Sequence, residues 1–582
     1  MENGPHRKTI YLSRFIKANL IPLIIFYHSK VIKFLSCLCL GVFIITHSFA
    51  QKGEHIPFDW SGQNGMSTYR GFLLWNSDWT SNELLFDGTF QSYPLRFGEF
   101  ISQDSYHSNS TIFPHSFLLD STEIRTSFDY RQGDYLFDQI SINAAYKKIN
   151  RDIELNGFKR SYGGPYSQFI QPENQKTGII TPNQQSYFFR YLTGESNNIS
   201  GLSIGRFITN SGLYSTADEN GKHVNEITTA SFSVQNQWNQ YDFRLKVSQY
   251  IESRKWITNL SSQPLHYLNR GQLVGVFTPA NKGDRLWELC FSGNTQSLAY
   301  QDTSISKGRT WLSIWGNINK NIFLIQGGID AGMGYILPRF LVSVNRKNKS
   351  IKWTTTLELK NNPQHMFIWH SSRSLFETWI TGETELIWEL DNIILYNSIN
   401  IWRVNNLITN ELVLIESSRD LYSLRTGIDW YLPNGINVSG FWTHNSKGDL
   451  ISDGIGDRIH TEIKFGKILF SDNMELTASL LTEGLFNRDS SFGFDSAMER
   501  PFIHNWGPYM LSDYWTTHLI LKAKVSSVVM SLRILNIFHA EETLFKKIYP
   551  ELPEEWIRPR NNSYFLPMGQ LVNFGVEWEF DD

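Results

Sequence analysis

The stretch Gln570–Phe580 reads Gln-Leu-Val-Asn-Phe-Gly-Val-Glu-Trp-Glu-Phe and constrains the fold more than any other part of the chain. Val572, Phe574, Val576, Trp578 and Phe580 occupy every second position, with Asn573, Gly575, Glu577 and Glu579 between them. Strict period two is a β-strand with one apolar and one polar face. Three aromatics on the apolar face are heavy for a strand packed in a soluble sandwich. They suit a strand that faces lipid and carries aromatics at the membrane interface. A sandwich strand is the competing reading, and the rest of the chain decides between them.

The same alternation recurs from Glu123 onward. Ile124, Thr126, Phe128 and Tyr130 oppose Glu123, Arg125, Ser127, Asp129 and Arg131. Phe243, Leu245 and Val247 oppose Arg244, Lys246 and Ser248; Ile463 and Phe465 oppose Glu462 and Lys464. Leu519, Leu521, Ala523 and Val525 oppose His518, Lys522 and Lys524, with Ile520 out of pattern, and Met530, Leu532 and Ile534 oppose Ser531 and Arg533. The connections alternate in length. Tight turns are expected at Asn150-Arg151, Asn239-Gln240, Asp391-Asn392, Pro433–Gly435 and Ser526-Ser527, among others. Between them lie longer connections such as Ser161–Asn183, Ser211–Glu226, Lys255–Arg270, Gly484–Ser512 and His539–Met568. Short turns on one side and long loops on the other are a property of outer-membrane barrels, and a soluble sandwich has no reason to show it. In lipid every backbone polar group must be paired, and a closed barrel leaves no edge. The expected fold is therefore all-β, a large antiparallel transmembrane barrel of about 22 strands, within about 16 to 24. The segment around Gly332–Arg339 is where the strand count is least determined.

Bulk properties agree. Mean hydropathy is −0.30, too low for a helical membrane protein with repeated apolar spans. Aromatics at 14% exclude a disordered chain. A formal net charge of −3 gives no reason to expect a nucleic-acid partner. No fixed-period repeat points to a solenoid.

The N-terminus reads as an address. Lys30 and Lys33 precede an apolar run from Phe34 to Ile45, and His47-Ser48-Phe49-Ala50 precedes Gln51. This is a secretory signal peptide cleaved between Ala50 and Gln51; a transmembrane anchor would need a longer run. Residues 1–29 form an unusual extension, so translation is expected to start near Val31. Cys37 and Cys39 lie in the leader, which leaves Cys290 alone in the processed chain, with no disulfide and no cysteine-based metal site. The expected organisation is a signal peptide over 1–50, a periplasmic lead-in or small plug-like segment over 51–121, and the barrel over 122–580.

Four sequence stretches carry a resemblance. The end of the chain is similar to the C-terminal insertion signal of bacterial outer-membrane barrels, although Asp581 and Asp582 follow the terminal aromatic. Ser531–Phe538 and Tyr564–Gln570 resemble the last two strand regions of TonB-dependent-receptor barrels, with Met568 separating Pro567 from Gly569 and Gln570 in place of a basic residue. Leu85–Pro94 resembles the segment before the barrel in the porin-type proteins of Bacteroidetes-type bacteria. Residues 51–121 are about half as long as a receptor plug, and no energy-coupling box is recognisable. The resemblance implies a porin-type outer-membrane channel lacking a full plug, placed in a diderm bacterium's outer membrane after signal removal. It also implies outer-membrane lipid and the barrel-assembly machinery as partners.

Lumen-lining candidates are Arg125, Arg131, Arg244, Lys246, Glu462, Lys464, Arg533, Glu577 and Glu579; they either set selectivity or only solvate the lumen. The assembly signal is expected in Val572, Phe574, Val576, Trp578 and Phe580. No catalytic residues, cofactor or metal are expected. Gly201-Leu202-Ser203-Ile204-Gly205 matches the nucleophile-elbow pattern, but it sits in a strand with no helix after it. Asp449, Asp453 and Asp457 crowd one loop; a solvated loop is favoured over a Ca²⁺ site. The functional expectation is passage of a small hydrophilic solute. The alternatives are a TonB-dependent-receptor-like transporter with a reduced plug, or a structural or binding barrel with ligand-binding external loops.

Overall fold

The computed structural model describes most of Glu123–Asp581 together with Ser67–Tyr69 and Phe72–Leu74; residues 1–66 and 75–122 and large parts of the long connections lie outside the described residues. The proposed signal cleavage at Ala50-Gln51, most of the plug-like segment, and Asp449 and Asp453 therefore fall outside them.

The barrel strands are numbered in chain order. The first six are β1 (Glu123–Gly133), β2 (Asp138–Lys148), β3 (Arg151–Ser161), β4 (Asn183–Glu195), β5 (Asn198–Leu213) and β6 (Gly221–Trp238). There follow β7 (Tyr241–Thr258), β8 (His266–Pro279), β9 (Trp287–Tyr300), β10 (Ser306–Lys320), β11 (Phe323–Gly332) and β12 (Tyr335–Asn348). Next are β13 (Ile351–Pro363), β14 (Phe376–Glu389), β15 (Ile393–Asn405), β16 (Arg419–Leu432) and β17 (Ile436–Asn445). The last are β18 (Ile455–Leu469), β19 (Met474–Arg488), β20 (Tyr514–Val525), β21 (Val528–Leu535) and β22 (Leu571–Asp581). Each pairs antiparallel with its neighbours, and β22 closes the ring on β1 through Trp578↔Phe128 and Phe580↔Thr126. The result is a closed 22-strand barrel.

Alternation dictates the two faces. Phe232, Val247, Leu289, Ile314, Ile325, Ile463, Phe574 and Trp578 are exposed on the outer surface. Their sequence neighbours Ser231, Lys246, Ser248, Ser313, Gln326 and Asn573 are buried on the inner one. A polar lining inside an apolar coat is a membrane barrel's distribution. Tight turns use the backbone they require: Asn239, Lys349 and Ser526 take positive φ, as hairpin turns with the strands' own twist demand. The break near Gly332–Arg339 is one such hairpin, a two-residue turn in which Met333 and Gly334 both have positive φ.

Several expected loops are shorter than the sequence indicated. The ladder of β5 with β6 runs to Leu213↔Gly221, and that of β6 with β7 to Gly221↔Thr258. Much of the expected connections Ser211–Glu226 and Lys255–Arg270 is thus strand. Beyond the bilayer both faces of a strand meet water, so the apolar alternation vanishes while the hydrogen-bonded ladder continues. Ile520, the exception in the β20 pattern, does sit on the inner face, paired with Arg533 of β21.

Candidate functional site

Nine sequence-selected charges fall on the inner face by register, but they do not form one site. Glu577 faces Asp129, Gly575 faces Arg131, and Glu579 faces Ser127 across the closing seam. Arg131 is held locally, donating from Nε to Asp129 at 3.0 Å. Arg125 lies opposite Asp581 and Ala145. Arg533 faces Asn573. Further round the ring Arg244 and Lys246 are buried beside Val276 and Val274, and Arg244 reaches Glu288 at 3.9 Å. Glu462 and Lys464 project from β18 opposite Ser439 and Asn437.

The structure adds an inner-wall arrangement that the sequence reading did not single out. Trp315 of β10 lies directly across from Gly328 of β11, and Gly328 lies across from Arg339 of β12. With no side chain at Gly328, the Arg339 guanidinium spans the middle strand and covers the Trp315 ring at 4.6 Å from its centroid, a cation–π contact. A Cβ at Gly328 would come within 2.5 Å of Trp315 Cβ. The chain of contacts continues: Arg339 Nη1 is 3.8 Å from Asp330 Oδ1, Asn361 Nδ2 donates to Asp330 Oδ2, and Thr378 donates to Asn361. It ties five consecutive strands, β10 to β14.

The arrangement recurs at β16–β18. Phe441 lies opposite Gly427, the Arg425 guanidinium sits 4.0 Å from the Phe441 centroid, and His460 stacks on the same ring at 4.9 Å. Arg309 similarly approaches Trp311 at 5.6 Å while donating to Gln296. The Arg339–Trp315 and Arg425–Phe441 pairings depend on cross-strand register, and no local spacing in the sequence marks them.

Val274, Val276, Cys290 and Trp315 form an apolar patch within this polar lining. Cys290 is a wholly buried thiol whose Sγ accepts from Asn317 Nδ2 at 3.8 Å. Ser203 of the Gly-x-Ser-x-Gly match lies inside β5, so the strand-to-helix turn that a nucleophile elbow needs is not formed there. Asp457 belongs to β18 and accepts hydrogen bonds from Trp442, His444 and Asn487. Among the described residues no group of three His, Cys, Asp or Glu side chains is placed to hold a metal.

No family model matches the sequence, and no curated protein matches it. Solved structures do match. The iron transporter FrpB of Neisseria meningitidis superposes with a TM-score of 0.58 at 9% identity, covering 79% of this chain and 82% of that one. A mutant of the ferric enterobactin receptor of Pseudomonas aeruginosa gives 0.56 at 10% identity, covering 79% and 80%. The ferric yersiniabactin uptake receptor of Yersinia pestis gives 0.55 at 10%, again covering 79% and 80%. The fold these structures share with the chain is the closed 22-strand antiparallel barrel of outer-membrane proteins.

Proposed function

We propose that this chain is a gated uptake transporter of the outer membrane. It would be a receptor-like barrel whose lumen is occupied by its own chain, rather than an open porin. One observation carries this. Inner-face side chains are buried over much of the ring, with Ser313 and Asp330 at 0% exposed, Ser398 and Thr443 at 1% and Asn573 at 3%, while Arg125, Lys464 and Glu579 are exposed. Long cations such as Lys246 and Arg339 are buried too. An open pore of this strand number is a water-filled channel that wets its lining. The segment ahead of β1 is the occupant in this reading. The receptor fold shared with the ferric-chelate receptors supports an uptake role over passive diffusion, and makes metal chelates the first hydrophilic solutes to test.

Export with signal removal, insertion by the barrel-assembly machinery and residence in outer-membrane lipid belong to the same reading. Planar-bilayer conductance tests it. The full-length processed protein is expected to conduct little, and deletion of residues 57–115 to produce large steady openings. Large openings from the full-length protein would return the open-porin reading.

A further inference from the structure

The outer surface carries a polar and aromatic belt that an uptake role leaves unused. On β18, Ile459 and Ile463 are exposed on the outer face, and Asp457 and Lys467 bracket them on the same side of the strand. The two polar residues mark the edges of an apolar band about 25 Å tall. The Pro433–Gly435 and 470–473 turns lie at the Lys467 end, so Asp457 marks the outer, long-loop edge.

Around Asp457 the side chains are organised across five adjacent strands. Asp457 Oδ1 accepts from His444 Nδ1 at 2.8 Å and from Trp442 Nε1 at 3.1 Å, and Oδ2 accepts from Asn487 Nδ2 at 3.3 Å. The His444 ring stacks on Trp442 at 5.8 Å and approaches Tyr422 at 5.9 Å. Two residues along β16 from Tyr422, Asp420 receives a bidentate pair from Arg403 at 2.6 and 2.7 Å.

This belt lies where lipid headgroups begin, and its charges are matched internally. Arg403 is neutralised by Asp420, and Asp457 is surrounded by donors. Such a surface offers little to a phosphate, which needs uncompensated cations. It does offer flat aromatic faces for the C–H sides of sugar rings, with oriented polar groups at their edges. We propose that the outward face formed by Tyr422, Trp442, His444, Asp457 and Asn487 binds the sugar headgroup of an outer-leaflet glycolipid. Asp457 acts as the positioning residue that holds the Trp442 and His444 rings upright at the interface.

The test uses the full-length barrel in a polyoxyethylene detergent that carries no sugar. Native mass spectrometry would count bound lipid as glucosyl diacylglycerol or phosphatidylglycerol with the same acyl chains is titrated in. Wild type is expected to retain the glucosyl lipid about tenfold more tightly, and Trp442→Leu and Asp457→Asn to bring the two lipids to parity, a loss equivalent to one or two hydrogen bonds. Unboiled gel mobility reports whether each variant is folded. Should either fail to fold, Asn487→Ala removes one donor at the rim and is expected to weaken glucosyl-lipid retention alone. Equal retention of the two lipids by wild type overturns the proposal. So does preference for the phosphatidyl lipid, or undiminished glucosyl-lipid retention in folded variants.

Discussion

At the scale of single residues, the sharpest contrast lies in β22. Phe574 is 53% exposed on the lipid face, while Glu577, three residues on, faces Asp129 in the lumen. Phe574→Arg places a charge in the bilayer at a cost of about 2–4 kcal/mol near the midplane. It is expected to reduce assembled protein strongly. Glu577→Arg removes a carboxylate from the lining next to another one, and is expected to assemble and to shift any residual conductance toward anions. Assembly yields on unboiled gels and reversal potentials of the form lacking residues 57–115 check both. The reverse pattern would mean that the faces are misassigned. Glycines separate in the same way. A side chain at Gly328 would collide with Trp315 and the Ile314 carbonyl, whereas one at Gly293 would meet nothing within 4 Å. Gly328→Val is therefore expected to impair folding, and Gly293→Val to be tolerated, as read by the fraction of unboiled fast-migrating protein.

At the scale of elements, strand length varies round the barrel. β6 and β7 are 18 residues each, and β21 is 8. A tilted strand needs only about 9–11 residues to cross the bilayer, so β6 and β7 rise well above it. Loop parity assigns the sides. Epitope tags within 489–513 or 541–569 are expected to label on intact cells, and tags at Asp391-Asn392 or Ser526-Ser527 only after permeabilisation. Labelling of the latter pair on intact cells would invert the barrel. The parity is not perfect. The long-loop side also holds the short Met333-Gly334 hairpin and the 134–137 turn, a feature that strand counting from loop length alone resolves poorly.

At the scale of the whole molecule, closure is the main source of resistance to unfolding. β22 pairs with β1 over a continuous ladder from Asn573↔Gly133 to Asp581↔Arg125, so no barrel strand has a free edge at which separation could begin. The purified protein is expected to migrate faster on detergent gels before boiling than after, with strong β-type circular dichroism. Identical mobility in both conditions would argue against a closed ring. The inner wall adds stiffness, because the Trp315–Arg339–Asp330–Asn361–Thr378 chain crosses the strand direction and couples neighbours that are distant in sequence.

The sequence alone determined the class of fold, an approximate strand count of about 22 within about 16 to 24, and the division of each strand into an apolar and a polar face. It could do so because lipid on one side and a polar lumen on the other impose a two-residue period that each transmembrane strand must obey locally. The alternation of Val572, Phe574, Val576, Trp578 and Phe580 that makes a strand of Leu571–Asp581 was legible for that reason. The tops of β5, β6 and β7 were not, since a strand wetted on both faces loses the period while keeping its ladder. Which inner residues meet was also hidden. Arg339 reaches Trp315 over Gly328, Arg425 reaches Phe441 beside Gly427, and Asp457 gathers Trp442, His444 and Asn487. Each contact is made between strands, and register between strands is settled only when the whole sheet closes.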